Sequence, residues 1–163
     1  MGKMSKRKMV KKRADSKGLP SGMAGTILIA EDDDEDFCLT ERTFNKLRLT
    51  KKIIRVKNGQ ELMDTLRKDP FPDLVLLDLN MPIKDGREAL QEIKSDAYLK
   101  RIPVVVLTTS NAEEEITQAY QAGVNSFIRK PFRHKELSDL LSALSHYWFD
   151  IVELPRGDGR VHD

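Results

Sequence analysis

The chain reads as an open α/β sheet of parallel strands with helices on both faces, and three features predict it. Five short apolar runs recur from Thr26 onward, at intervals of about 20–25 residues that suit right-handed crossovers rather than hairpins. Between them lie segments whose apolar residues return at helical spacing. Two runs, Leu74–Leu77 and Val104–Leu107, are apolar without interruption, the pattern of strands covered on both sides.

Taken in order, the first strand is read at 26–30 and is followed by a helix over 35–48, with Phe37, Phe44 and Leu47 on one face. The second strand, Ile53–Val56, is short and carries Arg55, which suits a sheet edge. Asn58-Gly59 turns the chain into a helix over 60–68 with Leu62, Met63 and Leu66 inward. The third strand is 73–77, and Asp85-Gly86 precedes a helix over 87–95 with Ala89, Leu90 and Ile93. The fourth strand is 103–107. Ser110 or Asn111 is expected to cap a helix over 112–121, with Glu113 to Glu115 favourable in its first turn and Gly123 at its end. The fifth strand is 125–128, and the last helix starts after Pro131, near His134, with Leu137, Leu140, Leu141 and Leu144. The stretch Tyr147–Pro155 extends that helix and leaves it.

This places one folded domain at 26–146, after a basic disordered tail and linker at 1–25 and before a C-terminal extension at 147–163. With 39% apolar and 33% charged residues the domain is expected to be soluble, and no apolar stretch nears the roughly 20 residues of a membrane helix. The lone Cys38 excludes an internal disulfide and a Cys zinc site, which fits a reducing, cytoplasmic setting. Residues 1–25 hold eight Lys/Arg against Asp15, so a formal +7 sits in the tail and −5 is left for the rest of a +2 chain. Nucleic-acid binding would rest on that tail alone and is not expected of the folded part.

The chemistry lies where the runs end. Glu31-Asp32-Asp33 follows the first, Asp78 the third, Thr108 the fourth and Lys130-Pro131 the fifth. In a parallel sheet these groups share the carboxyl edge, where open α/β sheets bind ligands. An Asp ending a fully apolar strand costs several kcal/mol, on the order of a lost polar partner, unless it emerges at the edge or meets a cation. Ionised there, Asp78 can ligate a metal or attack phosphorus. Crowded carboxylates favour Mg²⁺, with Asp32 and Asp78 as two oxygen ligands and Glu31 holding a metal-bound water. Asp33 suits the cap of the first helix. The hydroxyl of Thr108 can donate to a phosphoryl oxygen. Lys130 can reach such an oxygen or, without it, Asp78; a cis bond to Pro131 would aim it inward.

The order of these groups resembles the receiver domain of two-component response regulators. The resemblance rests on Ile27-Leu-Ile-Ala-Glu-Asp-Asp33, Asp73-Leu-Val-Leu-Leu-Asp-Leu-Asn-Met-Pro82, Asp85-Gly86, Pro103-Val-Val-Val-Leu-Thr-Thr-Ser110 and Ala122-Gly-Val-Asn-Ser-Phe-Ile-Arg-Lys-Pro131, and spans residues 26–146. It implies a doubly wound, flavodoxin-like (βα)₅ fold with strand order 2-1-3-4-5. It further implies Asp78 as phosphoacceptor, Mg²⁺ on Glu31, Asp32, Asp78 and the backbone carbonyl of Asn80, Thr108 and Phe127 as the switch pair, and Lys130 on the phosphate. Thr109 stands where the family often has Ala or Gly, so access to the phosphoryl group is expected to be narrower. Phe127 has no hydroxyl and can act only by packing.

A narrower similarity, through Leu107-Thr-Thr-Ser110, Asn125-Ser-Phe127 and the Tyr147–Pro155 ending, is to the stand-alone regulators that serve bacterial phytochromes. It implies a sensor histidine kinase as partner, and a homodimer formed by the face of the fourth helix, fifth strand and fifth helix with the C-terminal extension. Two other classes compete with this reading. A haloacid-dehalogenase-type phosphatase needs a second Asp two residues after Asp78, where this chain has Asn80. A phosphorylation-independent adaptor would be expected to lack the acidic residues or the Lys, and all are present.

Overall fold

Apolar runs of four or five residues can bury both faces only if their backbone groups are paired by neighbours, and this sheet does so with parallel strands alone. In a computed structural model the described residues are 25–47, 52–68 and 72–155. The basic tail before Gly25 and residues 156–163 lie outside the described residues. Among the described residues β1 (Thr26–Ala30), β2 (Lys52–Val56), β3 (Leu74–Leu77), β4 (Val104–Thr108) and β5 (Ser126–Arg129) form one sheet in the order β2-β1-β3-β4-β5. Every pairing is parallel, with Ala30 opposite both Val56 and Leu77 and Thr108 opposite Arg129. Strand order reverses at β1, so β1 and β3 end side by side.

The helices are α1 (Asp34–Lys46), α2 (Gly59–Lys68), α3 (Gly86–Ser95), α4 (Glu113–Ala122) and α5 (His134–Ser145). The two-residue period of the strands splits the core. Val75, Leu77, Val104 and Val106 pack with Leu62, Met63, Ala89, Leu90 and Ile93 of α2 and α3 and Ala119 of α4. Leu74, Leu76, Val105 and Leu107 pack with Phe44 of α1 and Leu137, Leu141 and Leu144 of α5. Each such leucine, fully buried, stabilises the fold by about 1.5–3 kcal/mol.

Local chemistry sets the ends. Asp33 caps α1 by accepting from Asp36 N at 2.9 Å, and Asp85 caps α3 by accepting from Glu88 N at 3.0 Å. Gly123, at φ 103°, closes α4 in the left-handed region. The start of α4 corrects the expected cap. The helix begins at Glu113, so Ala112 stands at its N-cap with no side-chain bond, while the Ser110 hydroxyl donates to Glu115 and accepts from Ala112 N at 3.5 Å. A 3₁₀ turn at Leu99–Arg101 was not foreseen, and the expected extension of the last helix takes the form of a π-helical turn at His146–Ile151. The carbonyls of Lys100 and Ile102 receive Lys94 Nζ at 3.0 and 2.7 Å, which ties the 3₁₀ turn to α3. The π turn, closed by Val152 N on the Tyr147 carbonyl at 3.0 Å, turns Trp148 and Phe149 onto the α1–α5 core.

The β3–α3 loop carries backbone strain. Ile83 sits at φ 68°, where a β-branched residue is disfavoured, and is 85% exposed, so packing does not offset it. Ile83→Asn should therefore raise unfolding stability by about 1 kcal/mol, read as a higher urea midpoint at unchanged slope. An equal or lower midpoint would show that this loop holds no strain to release.

Candidate functional site

Glu31 and Asp78 leave the sheet next to each other because the ladder continues one residue past each strand. Glu31 N donates to the Val56 carbonyl and Asp78 N to the Ala30 carbonyl, both at 3.0 Å. Carboxylate oxygens of Glu31, Asp32 and Asp78 lie within 4.8 Å of one another; Glu31 and Asp78 are buried and Asp32 is exposed. Asn80 N donates to Asp78 Oδ1 at 3.1 Å, which fixes that carboxylate against its own loop. The loop is pinned from behind by Gly86, whose N–H meets the Leu79 carbonyl at 2.9 Å. A Cβ at Gly86 would stand 2.2 Å from the Asp78 carbonyl oxygen, so only glycine fits.

Lys130 enters from β5. Its N–H bonds the Thr108 carbonyl at 2.7 Å, and its Nζ donates to Glu31 at 2.8 Å and Asp36 at 2.9 Å while standing 4.0 Å from Asp78. This corrects two expectations. The Lys130–Pro131 peptide is trans, no cis bond occurring among the described residues, because the ladder bond to Thr108 already holds the strand in line with the site. The partners of the ammonium are chiefly Glu31 and Asp36, with Asp78 at longer range. Thr108 is wholly buried, and its hydroxyl accepts from Ser110 N at 3.4 Å. Phe127 lies on the same sheet face, half-buried against the α2–α3–α4 core, with its N–H on the Tyr120 hydroxyl at 3.2 Å. Thr109, beside Thr108, is exposed.

The electrostatics mark a site short of positive charge. Burial pushes the Glu31 carboxyl up to about 7, with the charge of Asp78 adding to it and the hydrogen bond and charge of Lys130 opposing it. Burial pulls Lys130 down, but the hydrogen bonds and charges of Glu31, Asp36 and Asp78 outweigh it and hold the ammonium above the ordinary lysine value. Three clustered carboxylates, two of them buried, are a hard oxygen donor set that fits Mg²⁺ or Mn²⁺ and not a soft metal.

Sequence reasoning missed three side chains. Asp36 shares Lys130; its signal was its place one turn after the Asp33 cap, which brings it back toward the end of β1. Arg55 donates from Nε to the Glu31 carbonyl at 3.0 Å, pairs with Asp34 at 2.8 Å and stacks over Phe37 at 4.5 Å. Arg87 donates to the Leu79 carbonyl at 3.3 Å and pairs with Glu115 across the α3–α4 groove. No pattern in the sequence announces those long-range partners.

Residues 27–142 match the model of the response regulator receiver domain. Response regulator Rcp1 of Synechocystis sp. is 38% identical over 135 residues, which cover 79% of this chain and 92% of that protein. The crystal structure of the phosphorylated cyanobacterial phytochrome response regulator RcpA is 39% identical and superposes with a TM-score of 0.78, covering 80% of this chain and 98% of that one. The Mn²⁺-bound form of Rcp1 superposes with a TM-score of 0.77 at 37% identity, covering 80% and 99%. The strand order β2-β1-β3-β4-β5, the acidic cluster at the ends of β1 and β3, and these matches together place the chain in the response regulator receiver domain family.

Proposed function

We propose that this receiver accepts a phosphoryl group on Asp78 from a phosphohistidine of a sensor histidine kinase of the bacterial phytochrome class. The observation that carries the reading is a buried ammonium, Lys130, set among carboxylates at the adjoining ends of β1 and β3. Similarity to Rcp1 and to the phytochrome regulator RcpA supports the choice of kinase.

An oxygen of Asp78 attacks phosphorus as the P–N bond to the imidazole breaks, and the bonding pair returns to the ring nitrogen. Such a transfer asks for placement and charge neutralisation more than for covalent chemistry. Glu31, Asp32, Asp78 and the Asn80 carbonyl would hold Mg²⁺, which supplies positive charge to the phosphoryl oxygens when bound. Asn80 N–H orients the acceptor carboxylate through its bond to Oδ1. Lys130 has only a short swing to make from its place 4.0 Å from Asp78 onto a phosphoryl oxygen. Thr108 turns its hydroxyl from Ser110 N to another oxygen. Phe127, on the same face, then follows by packing. The protein acts in the cytoplasm as a signalling domain with at most slow self-dephosphorylation, not as a turnover enzyme.

Its output is association with a second copy through the α4–β5–α5 face and the C-terminal extension. Half-exposed Tyr120 on α4 and Tyr147 and Ile151 on the π turn supply apolar surface there.

Three measurements test this reading. Incubation with labelled phytochrome-class histidine kinase and Mg²⁺ should transfer label to the wild type and not to Asp78→Asn; label on the Asn variant rules out the acceptor. Mg²⁺ at about 100 times its dissociation constant should stabilise the wild type by about 2.7 kcal/mol, with most of that lost in Asp32→Asn. Equal stabilisation of both would remove Asp32 from the ligand set. Light scattering of the phosphorylated Tyr147→Asp/Ile151→Asp double variant should show a monomer where the wild type is a dimer; an unchanged mass counts against that interface.

A further inference from the structure

A second polar network lies beside the acidic cluster, across α3 and α4. Arg87, in the first turn of α3, donates to the Leu79 carbonyl at 3.3 Å and to Asn80 Oδ1 at 3.4 Å, directly behind Asp78. It stands 3.8 Å from Asp85 and pairs with Glu115 in the first turn of α4. The same Glu115 carboxylate accepts from the Ser110 hydroxyl. Ser110 N in turn donates to Thr108 Oγ1 at 3.4 Å. One path of contacts thus runs from Thr108 through Ser110, Glu115 and Arg87 to the loop that follows Asp78.

An independent feature makes this path matter. Among the described residues α4 buries Ala119 alone, whereas α2, α3 and α5 each bury four residues. Hydrophobic stabilisation scales with apolar area, so buried Ala119 with half-buried Ala122 anchors α4 weakly. Its N-cap, Ala112, makes no side-chain bond either. Glu115, whose side chain is only 18% exposed, is therefore a principal tie between the start of α4 and the rest of the domain.

We propose that the Arg87–Glu115 pair is a latch that positions α4 and the β4–α4 loop in the resting arrangement and opens when Asp78 is phosphorylated. This rests on the phosphoacceptor reading above. A phosphoryl group adds about 1.5–2 negative charges beside Leu79 and Asn80, where the Arg87 guanidinium already lies. That charge attracts Arg87 and repels Glu115. The same group takes the Thr108 hydroxyl and so moves Ser110, the other hold on Glu115. Both contacts of the Glu115 carboxylate favour one state only, as a population shift requires. Arg87 and Glu115 are positioning residues; neither touches the acceptor carboxylate.

The test is titration of the full chain with beryllofluoride, which mimics an aspartyl phosphate, in saturating Mg²⁺ with backbone amide NMR. Glu115→Gln should bind at least about five-fold tighter than wild type, and its free α4 amides should shift toward the wild-type bound positions. General loss of negative charge near an anion would also tighten binding, so the pair is tested as a cycle. In an Arg87→Ala background the gain from Glu115→Gln should shrink by half or more. A full gain there, or no gain in the single variant, overturns the latch. Ser110→Ala, which alters no charge, should also tighten binding, and unchanged affinity in that variant counts against the latch even where Glu115→Gln does not fold. Failure of the wild type itself to bind beryllofluoride with Mg²⁺ would instead sink the phosphoacceptor reading, and the latch with it.

Discussion

A buried ammonium shared by acidic groups is the constraint around which this domain is arranged. Lys130 is nearly as inaccessible as the core leucines, yet it meets Glu31 and Asp36 at 2.8 and 2.9 Å and faces Asp78 at 4.0 Å. Such a group is tolerated only with its partners in place, since removing one side of a buried pair costs roughly 3–5 kcal/mol. The ammonium and its partners come from four places in the chain: the end of β5 for Lys130, and the end of β1, the first turn of α1 and the end of β3 for Glu31, Asp36 and Asp78. They converge only because strand order reverses at β1 and because β4 hands its last carbonyl to Lys130 N. Gly86 serves the same end by letting the loop after Asp78 lie against the start of α3.

The parts of this arrangement that repeat along the chain were legible in the sequence, and the parts that meet across it were not. Apolar runs and helical spacing located five strands and five helices to within a residue or two, because burial on one face imposes a period. Asp33 was readable as a cap, being a local hydrogen bond over three residues, and Asp85 proves to fill the same role at α3. Glu31, Asp32, Asp78, Thr108 and Lys130 were readable through their places at strand ends. The choice among Lys130's acidic neighbours was not, since it depends on how α1 packs beside β5. The same limit explains the missed pair of Arg87 and Glu115, and the failed cap at Ser110, whose hydroxyl donates to Glu115 of that pair. The expected cis bond before Pro131 failed because an inward lysine needs only strand geometry, which the ladder already supplies.

The helices are not held equally, and the inequality has a direction. α1 and α5 close one face with Phe44, Leu137, Leu141 and Leu144, and the aromatic π turn adds Trp148 and Phe149 to the same core. α2 and α3 are fastened to the other face by leucines, by Met63 and by Ile93. α4 has buried Ala119, half-buried Ala122 and a set of polar contacts. Polar contacts respond to charge at a distance, whereas apolar burial does not. The surface of α4 is therefore the one most open to a change of charge nearby.

Charge balance then explains why the site is built with a surplus of acid. Glu31, Asp32, Asp36 and Asp78 set four carboxyl groups against the one ammonium of Lys130, and Glu31 answers by holding its proton up to about pH 7. In that condition an approaching anion is repelled by the clustered carboxylates. A divalent cation held by these groups would reverse that, satisfying the carboxylates and presenting positive charge to incoming oxygens. On the phosphoacceptor reading proposed above, acceptance of phosphate would be conditional on the metal, without any residue devoted to enforcing it. The carboxylates that crowd negative charge at the ends of β1 and β3 are the same oxygens that make up a donor set for a hard cation, so the two properties cannot be tuned apart by changing a single acid.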